Sequence, residues 1–436
     1  MNRKAVIAVG VVALGVAGAW LAFNRIARGG RPAAAPGSAV QVGRVRQNQP
    51  LDEDYFRPHP IGRPLEGNPW ITDLLICDLD GDGLKDVLVA DGRLNKVTWI
   101  RQVSLGKFEE QDIGGPIQGP AHLEVADLRG TGHLDVLVAS MGIIFPDNDK
   151  IGSVVILEND GKNHFTNHVL LDKVARVTYV QAARLTKHSV LPDLVVGQFG
   201  YLEGEIRWME NMGNGTYKSH QLLDLPGTIH APVADMHGDG NMDIVALVSK
   251  KVEEVHMFTG DGQGNFRDQV IHGSTNQDYG SSGLTIADVN QDGRPDVIFT
   301  NGDGFSYATP GPRPWHGVHW LENMGGGKFT YHKVGDFSGA FSPIAVDLRG
   351  SGHMDIVATS CFNDWNDKDA VSLMAFENDG HEHFTPRILA RAPTHLVVVK
   401  AADMFNDGRI ELVTGSFAFY PPYNHVSRVT LWEHNE

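Results

Sequence analysis

Cysteine is nearly absent from this sequence: Cys77 and Cys361 are the only two in 436 residues. Each lies inside an apolar strand-like run, LLICD and VATSCF, which excludes a disulfide framework and reads as two buried thiols. Basic residues are also short, 37 against 53 acidic, a net charge of −16 that argues against nucleic acid as a partner. No nucleophile elbow, phosphate loop, zinc-binding helix or haem-attachment pair is present. Glycine is abundant instead, 50 residues, and points to many turns.

The N-terminus differs in kind from the rest. Residues 5–23, AVIAVGVVALGVAGAWLAF, form an uncharged run long enough to cross a bilayer as a helix. No clean small-residue cleavage site follows, because proline blocks the one after AAA, so residues 1–29 are expected to be an uncleaved signal anchor. Basic residues flank both ends of the run, so charge does not settle its orientation. Residues 30–50, rich in Gly, Pro, Ala and Gln, read as a flexible linker.

From there on the chain repeats itself. DLDGDGLKD (78–86) returns as DLRGTGHLD (127–135), DMHGDGNMD (235–243), DVNQDGRPD (288–296), DLRGSGHMD (347–355) and DMFNDGRIE (403–411), with an eroded copy at 184–193. An apolar strand leads into each copy and another leads out. A third carries an aromatic and often Glu-Asn, as in VVILEN or VHWLEN, and a glycine turn precedes a fourth that opens with an aromatic. Four short antiparallel strands per fifty-odd residues describe a propeller blade. The last blade lacks its fourth strand at the C-terminus, and FRPHPI (56–61) has the matching register. The expected fold is therefore all-β: a seven-bladed propeller over 51–436, closed by its N-terminal strand, plus the transmembrane helix.

The acids of these loops have calcium-ligand spacing. Positions 1, 3 and 5 of a tight loop can point inward together, glycine at 6 permits the turn, and an acid at 9 completes an oxygen shell. Two copies are complete: Asp78, Asp80, Asp82 and Asp86, and Asp288, Asn290, Asp292 and Asp296. Two are partial: Asp235, Asp239 and Asp243, with His237 at position 3, and Asp403, Asp407 and Glu411, with Phe405 there. Structural Ca2+ is the expected cofactor. In two further copies Arg129 is expected to bridge Asp127 and Asp135, and Arg349 to bridge Asp347 and Asp355, in place of a metal. The copy with Arg184 at position 1 should bind nothing.

The DxDxDGxxD loops and the [LM]EN-G-x-G-x-F stretches resemble the FG-GAP (VCBS-type) repeat family, over nearly all of the chain from residue 51. That resemblance implies a seven-bladed propeller like the head of integrin α chains, calcium held for rigidity, and ligands met on the opposite face. A bacterial, membrane-anchored member is the form expected here.

Loops joining second to third strands lie on the face opposite the cation loops. The long ones, 141–152, 302–317, 361–369 and 415–427, carry Phe145, Phe305, Tyr307, Trp315, Trp365, Phe419, Tyr420 and Tyr423. Clustered aromatics on a rigid scaffold suit a protein or glycan partner, with Trp315, Trp365, Tyr420 and Tyr423 as its expected contacts. His122, Tyr179 and His230, with His395, are expected to line the channel rim. The histidines that recur in the fourth strands (His59, His168, His220 and His332) read as framework. The expectation is a non-enzymatic, calcium-stabilised scaffold in the cytoplasmic membrane, single-pass, with the propeller on the periplasmic or extracellular side. An accessory subunit of a membrane assembly is one role this expectation allows. The alternative is a lyase-like enzyme acting on polysaccharide through His122, Tyr179 and His230.

Overall fold

The computed structural model describes residues 51–305 and 309–435, so the expected anchor (1–29), the linker (30–50) and Tyr307 lie outside the described residues. Within them the apolar runs become 29 strands, from β1 (Phe56–Pro60) to β29 (Val429–His434), arranged in seven antiparallel sheets. Six sheets take four consecutive strands each, apart from a split innermost strand in the fourth. Pro232, which has no N–H to donate, separates β14 (Thr228–His230) from β15 (Val233–Ala234) there. No helix among the described residues is long and apolar enough to cross a membrane.

The seventh sheet is the test of closure. β1 pairs antiparallel with β29, Phe56 opposite His434 and His59 opposite Leu431, so the N-terminal strand supplies the missing fourth strand. Each innermost strand packs on those of the two neighbouring blades, and β2 (Ile71–Cys77) meets β27 (Leu396–Ala402), which completes the ring. Arg428 ties this seam. Its fork donates to both Glu110 carboxylate oxygens at 2.8 and 2.9 Å, and its Nε lies 3.5 Å from Asp91. Upstream, the Tyr55 hydroxyl donates to the Leu348 carbonyl (2.9 Å), fixing the start of the described chain to the sixth blade.

Burial follows the layering. Second strands such as β3 (Asp86–Asp91) and β7 (Asp135–Ser140) are buried along their whole length, between neighbouring sheets. Fourth strands such as β5 (Lys107–Ile113) alternate, because only one face is covered. Apolar clusters therefore sit between blades, and each fully buried Val, Leu or Ile contributes about 1.5–3 kcal/mol. The framework histidines also find partners. His220 and His332 stack on Trp208 and Trp320 at 4.3 and 4.5 Å, and bond Glu210 and Glu322 at 3.0 and 2.8 Å.

Candidate functional site

Two of the four acid positions in each loop serve the backbone. The position-1 aspartate accepts the N–H groups of positions 5 and 6 in every copy that has one: Asp78 from Asp82 and Gly83, Asp127 from Thr131 and Gly132, and likewise Asp235, Asp288, Asp347 and Asp403. The position-9 acid is buried in all seven copies. In six it accepts a third-strand N–H, as Asp86 does from Gln102 (2.8 Å) and Asp193 from Asn211 (2.8 Å). Glu411 takes the Met404 N–H (2.9 Å) instead. Burial pushes Asp86 and Asp296 up to about 6 and Glu411 up to about 7.

Positions 3 and 5 distinguish the loops. In the first blade Asp78, Asp80 and Asp86 can each bring an oxygen within 4.8 Å of the others, and Asp80 Oδ1 is buried with no hydrogen-bond partner. These oxygens fit a hard cation, with Asp82 at the edge of the site. Arg101 lies against the cluster, 2.6 Å from Asp80 and 3.2 Å from Asp82. In the fifth blade the Asn290 amide donates to Asp292 and to Glu322, and Arg294 pairs with Asp292, so Asp288, Asp292 and Asp296 do not converge in the same way. In the fourth, His237 Nδ1 sits 2.8 Å from Asp243, in the space position 3 would give a metal, beside Asp235 and Asp239. In the seventh, Phe405 packs into the neighbouring core and Arg409 holds Asp407 at 2.7 Å.

The arginine loops depart from expectation in one respect. Arg129 grips Asp135 through two bonds (3.1 and 2.7 Å) and donates to the Asn159 carbonyl, but does not hydrogen-bond Asp127. Arg349 likewise takes Asp355 and Glu377, leaving Asp347 to the backbone and the Ser351 hydroxyl. The first aspartate is already committed to two N–H groups, so the guanidinium turns to the ninth. Cys77 also departs, being half-buried at the inner end of β2, whereas Cys361 is buried as expected.

The long loops converge on the ring axis. Phe145 from the second blade lies 6.3 Å from Phe305 of the fifth. Phe305 contacts Phe362 (5.0 Å), Phe417 (5.9 Å) and Phe419 (4.9 Å) from the sixth and seventh. Trp70 joins from the first at 5.2 Å from Phe145. These rings form a plug over one mouth of the channel. Arg176 clamps the 141–152 loop to it, donating to the Ile144 and Phe145 carbonyls (3.3 and 3.0 Å) while lying over Phe199 and Tyr201.

Of the expected partner contacts, Trp365 is buried with Nε1 on the Cys361 carbonyl (3.2 Å), against His395. Tyr420 donates to the Cys361 carbonyl (2.9 Å) and accepts the Asn363 N–H (2.9 Å). Trp315 is half-buried, its Nε1 on the Asp278 carbonyl (2.9 Å), and Tyr423 is exposed. The other large apolar side chains this face exposes besides Tyr423 are aliphatic: Leu65, between the seventh and first blades, and Leu94, Ile143 and Leu202, on the loops joining second and third strands of three consecutive blades. Lone leucines in the short GRLNK and FGYLEG loops were the only sequence signal for two of them.

Beneath the plug lies a cavity of about 460 Å³ within the bore, whose lining includes His122, Tyr179, His230, Asp73, Gln181 and Lys400. The rings of His122 and Tyr179 are 4.1 Å apart, and those of Tyr179 and His230 5.6 Å. Burial drives His122 down to about 4 and His230 to about 3, so both imidazoles are neutral at physiological pH, and it pushes the Tyr179 phenol up. His395 does not join them; it is fully buried behind Trp365 and Tyr420.

A family model described as FG-GAP-like repeat matches residues 78–138 and 235–299, the first blade running into the second and the fourth running into the fifth. The chain is a seven-bladed β-propeller that carries FG-GAP-like repeats in these blades. Among solved structures it is similar to BBS1N in complex with ARL6DN, in crystals soaked with mercury and with lead. Identity is 12% in both, with TM-scores of 0.50 and 0.51. The similarity covers 88% of this chain and 98% or 97% of the other. No curated protein matches the sequence.

Proposed function

We propose that this FG-GAP-repeat propeller is a non-enzymatic interaction scaffold that binds a folded protein through its long-loop face. Residues 5–23 tether it to the cytoplasmic membrane, with the propeller on the outer side, and calcium at Asp78, Asp80, Asp82 and Asp86 stiffens the first blade. The observation that carries the reading is the exposure of Leu94 (54%), Ile143 (48%) and Leu202 (75%) on one face of a closed, cross-clamped ring. Large aliphatic side chains held out by a rigid support suit a protein interface. A protein is favoured over a glycan here because most of the rings that would stack on sugars are folded into the plug. A neighbour in fold, BBS1N, is itself found in complex with a protein, which supports the reading by analogy.

The test is co-purification of full-length protein from its native membrane, with Ile143→Asp, Leu202→Asp and, on the opposite face, Val190→Asp (80% exposed). A stoichiometric protein kept by wild type and Val190→Asp but lost from the other two supports the proposal. A partner kept by all variants, or lost only from Val190→Asp, overturns it.

A further inference from the structure

The bore has two dissimilar ends and two dissimilar walls. The innermost strands place the same register position of each blade in one layer. In one layer the blades contribute Asp73, His122, Tyr179 and His230, and two residues further along they contribute Glu124, Gln181 and Lys400. The polar groups therefore run in an arc from the seventh blade through the first to the fourth. Leu284, Ile286 and Ile344, from the fifth and sixth blades, face that arc across the cavity, interspersed with the hydroxyl residues Ser282, Thr285 and Ser342. One mouth is stopped by the plug, since Phe305, Phe341 and Phe417 line the cavity roof. At the other, six of the seven innermost strands end in small side chains, Cys77, Ala126, Ala183, Ala234, Ala287 and Ala402, and the sixth blade's ends in Val346.

The arc offers both donors and acceptors, with Lys400 paired to Asp73 and Glu124 the one carboxyl outside an ion pair. Lys400 Nζ lies 3.5 Å from Asp73 Oδ1, and Asp73 Oδ2 also takes the Leu123 N–H (2.9 Å). The Glu124 carboxylate takes only the Val125 N–H (3.0 Å), and burial pushes its pKa up to about 7. The Gln181 oxygen is used twice, by the Tyr179 hydroxyl (3.2 Å) and the Val233 N–H (2.9 Å), while its amide nitrogen donates to no group among the described residues. An anionic ligand meets two carboxyl groups and an ammonium already paired. A cationic one meets that ammonium, and Glu124, the one carboxyl outside the ion pair, is not part of the cavity lining. A purely apolar one strands the buried polar groups of the arc, at a cost of 1–3 kcal/mol each by the usual magnitude.

We propose that the channel is a binding site for a neutral, polyhydroxylated ring of monosaccharide size, lying with its C–H face on the apolar wall and its hydroxyls toward Gln181, Tyr179, His230 and Lys400. The cavity volume falls in the range of small-ligand sites, about 300–1,000 Å³. Because the bore ends at the plug, it admits a free sugar or the terminus of a chain, and excludes an internal segment of a polysaccharide. The site lies apart from the long-loop surface and stands independently of the protein partner proposed for that face.

The test is saturation-transfer NMR of full-length protein in a detergent without a sugar headgroup. The probes are neutral methyl glycosides of common hexoses and pentoses, with methyl glucuronide and methyl glucosaminide as charged comparators. Transfer to one or more neutral glycosides is expected, weakened at least tenfold in Gln181→Leu and in His230→Phe, which keeps a ring, and unchanged in Val190→Asp. No transfer to any neutral probe, transfer only to charged ones, or equal transfer in all variants would overturn the proposal.

Discussion

Asp193 separates the two roles of the loop acids, because its repeat has the ninth position without the rest of the cation set. Its carboxylate is fully buried and accepts from Asn211 N (2.8 Å), Leu185 N (3.2 Å) and Ser189 Oγ (2.6 Å). In Asp193→Asn one oxygen still serves Asn211, while the new amide points a donor at the Leu185 N–H. A buried unsatisfied donor costs about 1–3 kcal/mol, and the surviving bond loses its charge assistance, so about 3 kcal/mol is expected in all. Unfolding entropy near 2.1 cal/mol/K per residue, over the roughly 385 positions from 51 to 435, makes this a fall of about 4 °C in Tm. The complementary change, Asp80→Ala, removes the carboxylate oxygen without a partner and should leave Tm in a chelator within about 1 °C. It should also abolish the rise that calcium gives the wild type, about 2.7 kcal/mol when calcium stands at 100 times Kd. Scanning calorimetry in chelator and in calcium reads both. A fall below about 1 °C for Asp193→Asn, or a calcium response that survives Asp80→Ala, refutes the division of labour.

Other perturbations have equally definite outcomes. Arg428→Ala leaves Glu110, now held below its usual range by that guanidinium, buried without its partner; a loss of about 3–5 kcal/mol, seen as a lower Tm and early proteolysis at the 1–7 seam, is expected. For Glu124, the folded pKa of about 7 exceeds the unfolded 4.5, so its stabilisation is full below 4.5 and is lost as pH rises through 7. Its half-exposed place on the bore screens part of that shift, so Glu124→Gln should gain about 2 kcal/mol on wild type between pH 5 and 8, measured by denaturant unfolding at each pH. Tyr420→Phe should lower stability by about 1–2 kcal/mol through its lost bonds to the 361–363 backbone, yet leave partner co-purification unchanged.

The ring was legible because repetition is a one-dimensional property. Seven copies at a near-constant period, and a fourth strand missing at one end but present at 56–61, fix blade number and closure without any knowledge of packing. The eroded copy at 184–193 also held a signal that went unused: it keeps Asp193 while losing position 1, which already marks the ninth acid as part of the framework. Depth was not legible. The sequence puts Phe145, Phe305, Trp365 and Phe419 on one face. Whether they reach outward or inward depends on loops from four blades meeting over the axis, a contact between residues far apart in the chain. The polar arc was half visible, since His122, Tyr179 and His230 stand out as residue types. Asp73, Glu124, Gln181 and Lys400 become conspicuous only when the innermost strands are aligned by register.

The most direct measurement is hydrogen exchange on full-length protein gently extracted with its partner, against the same protein stripped of it. Added protection is expected in the 141–152 and 199–205 loops, with the cation loops 78–86 and 288–296 unchanged. Protection confined to the cation-loop face, or no difference between the two samples, would contradict it.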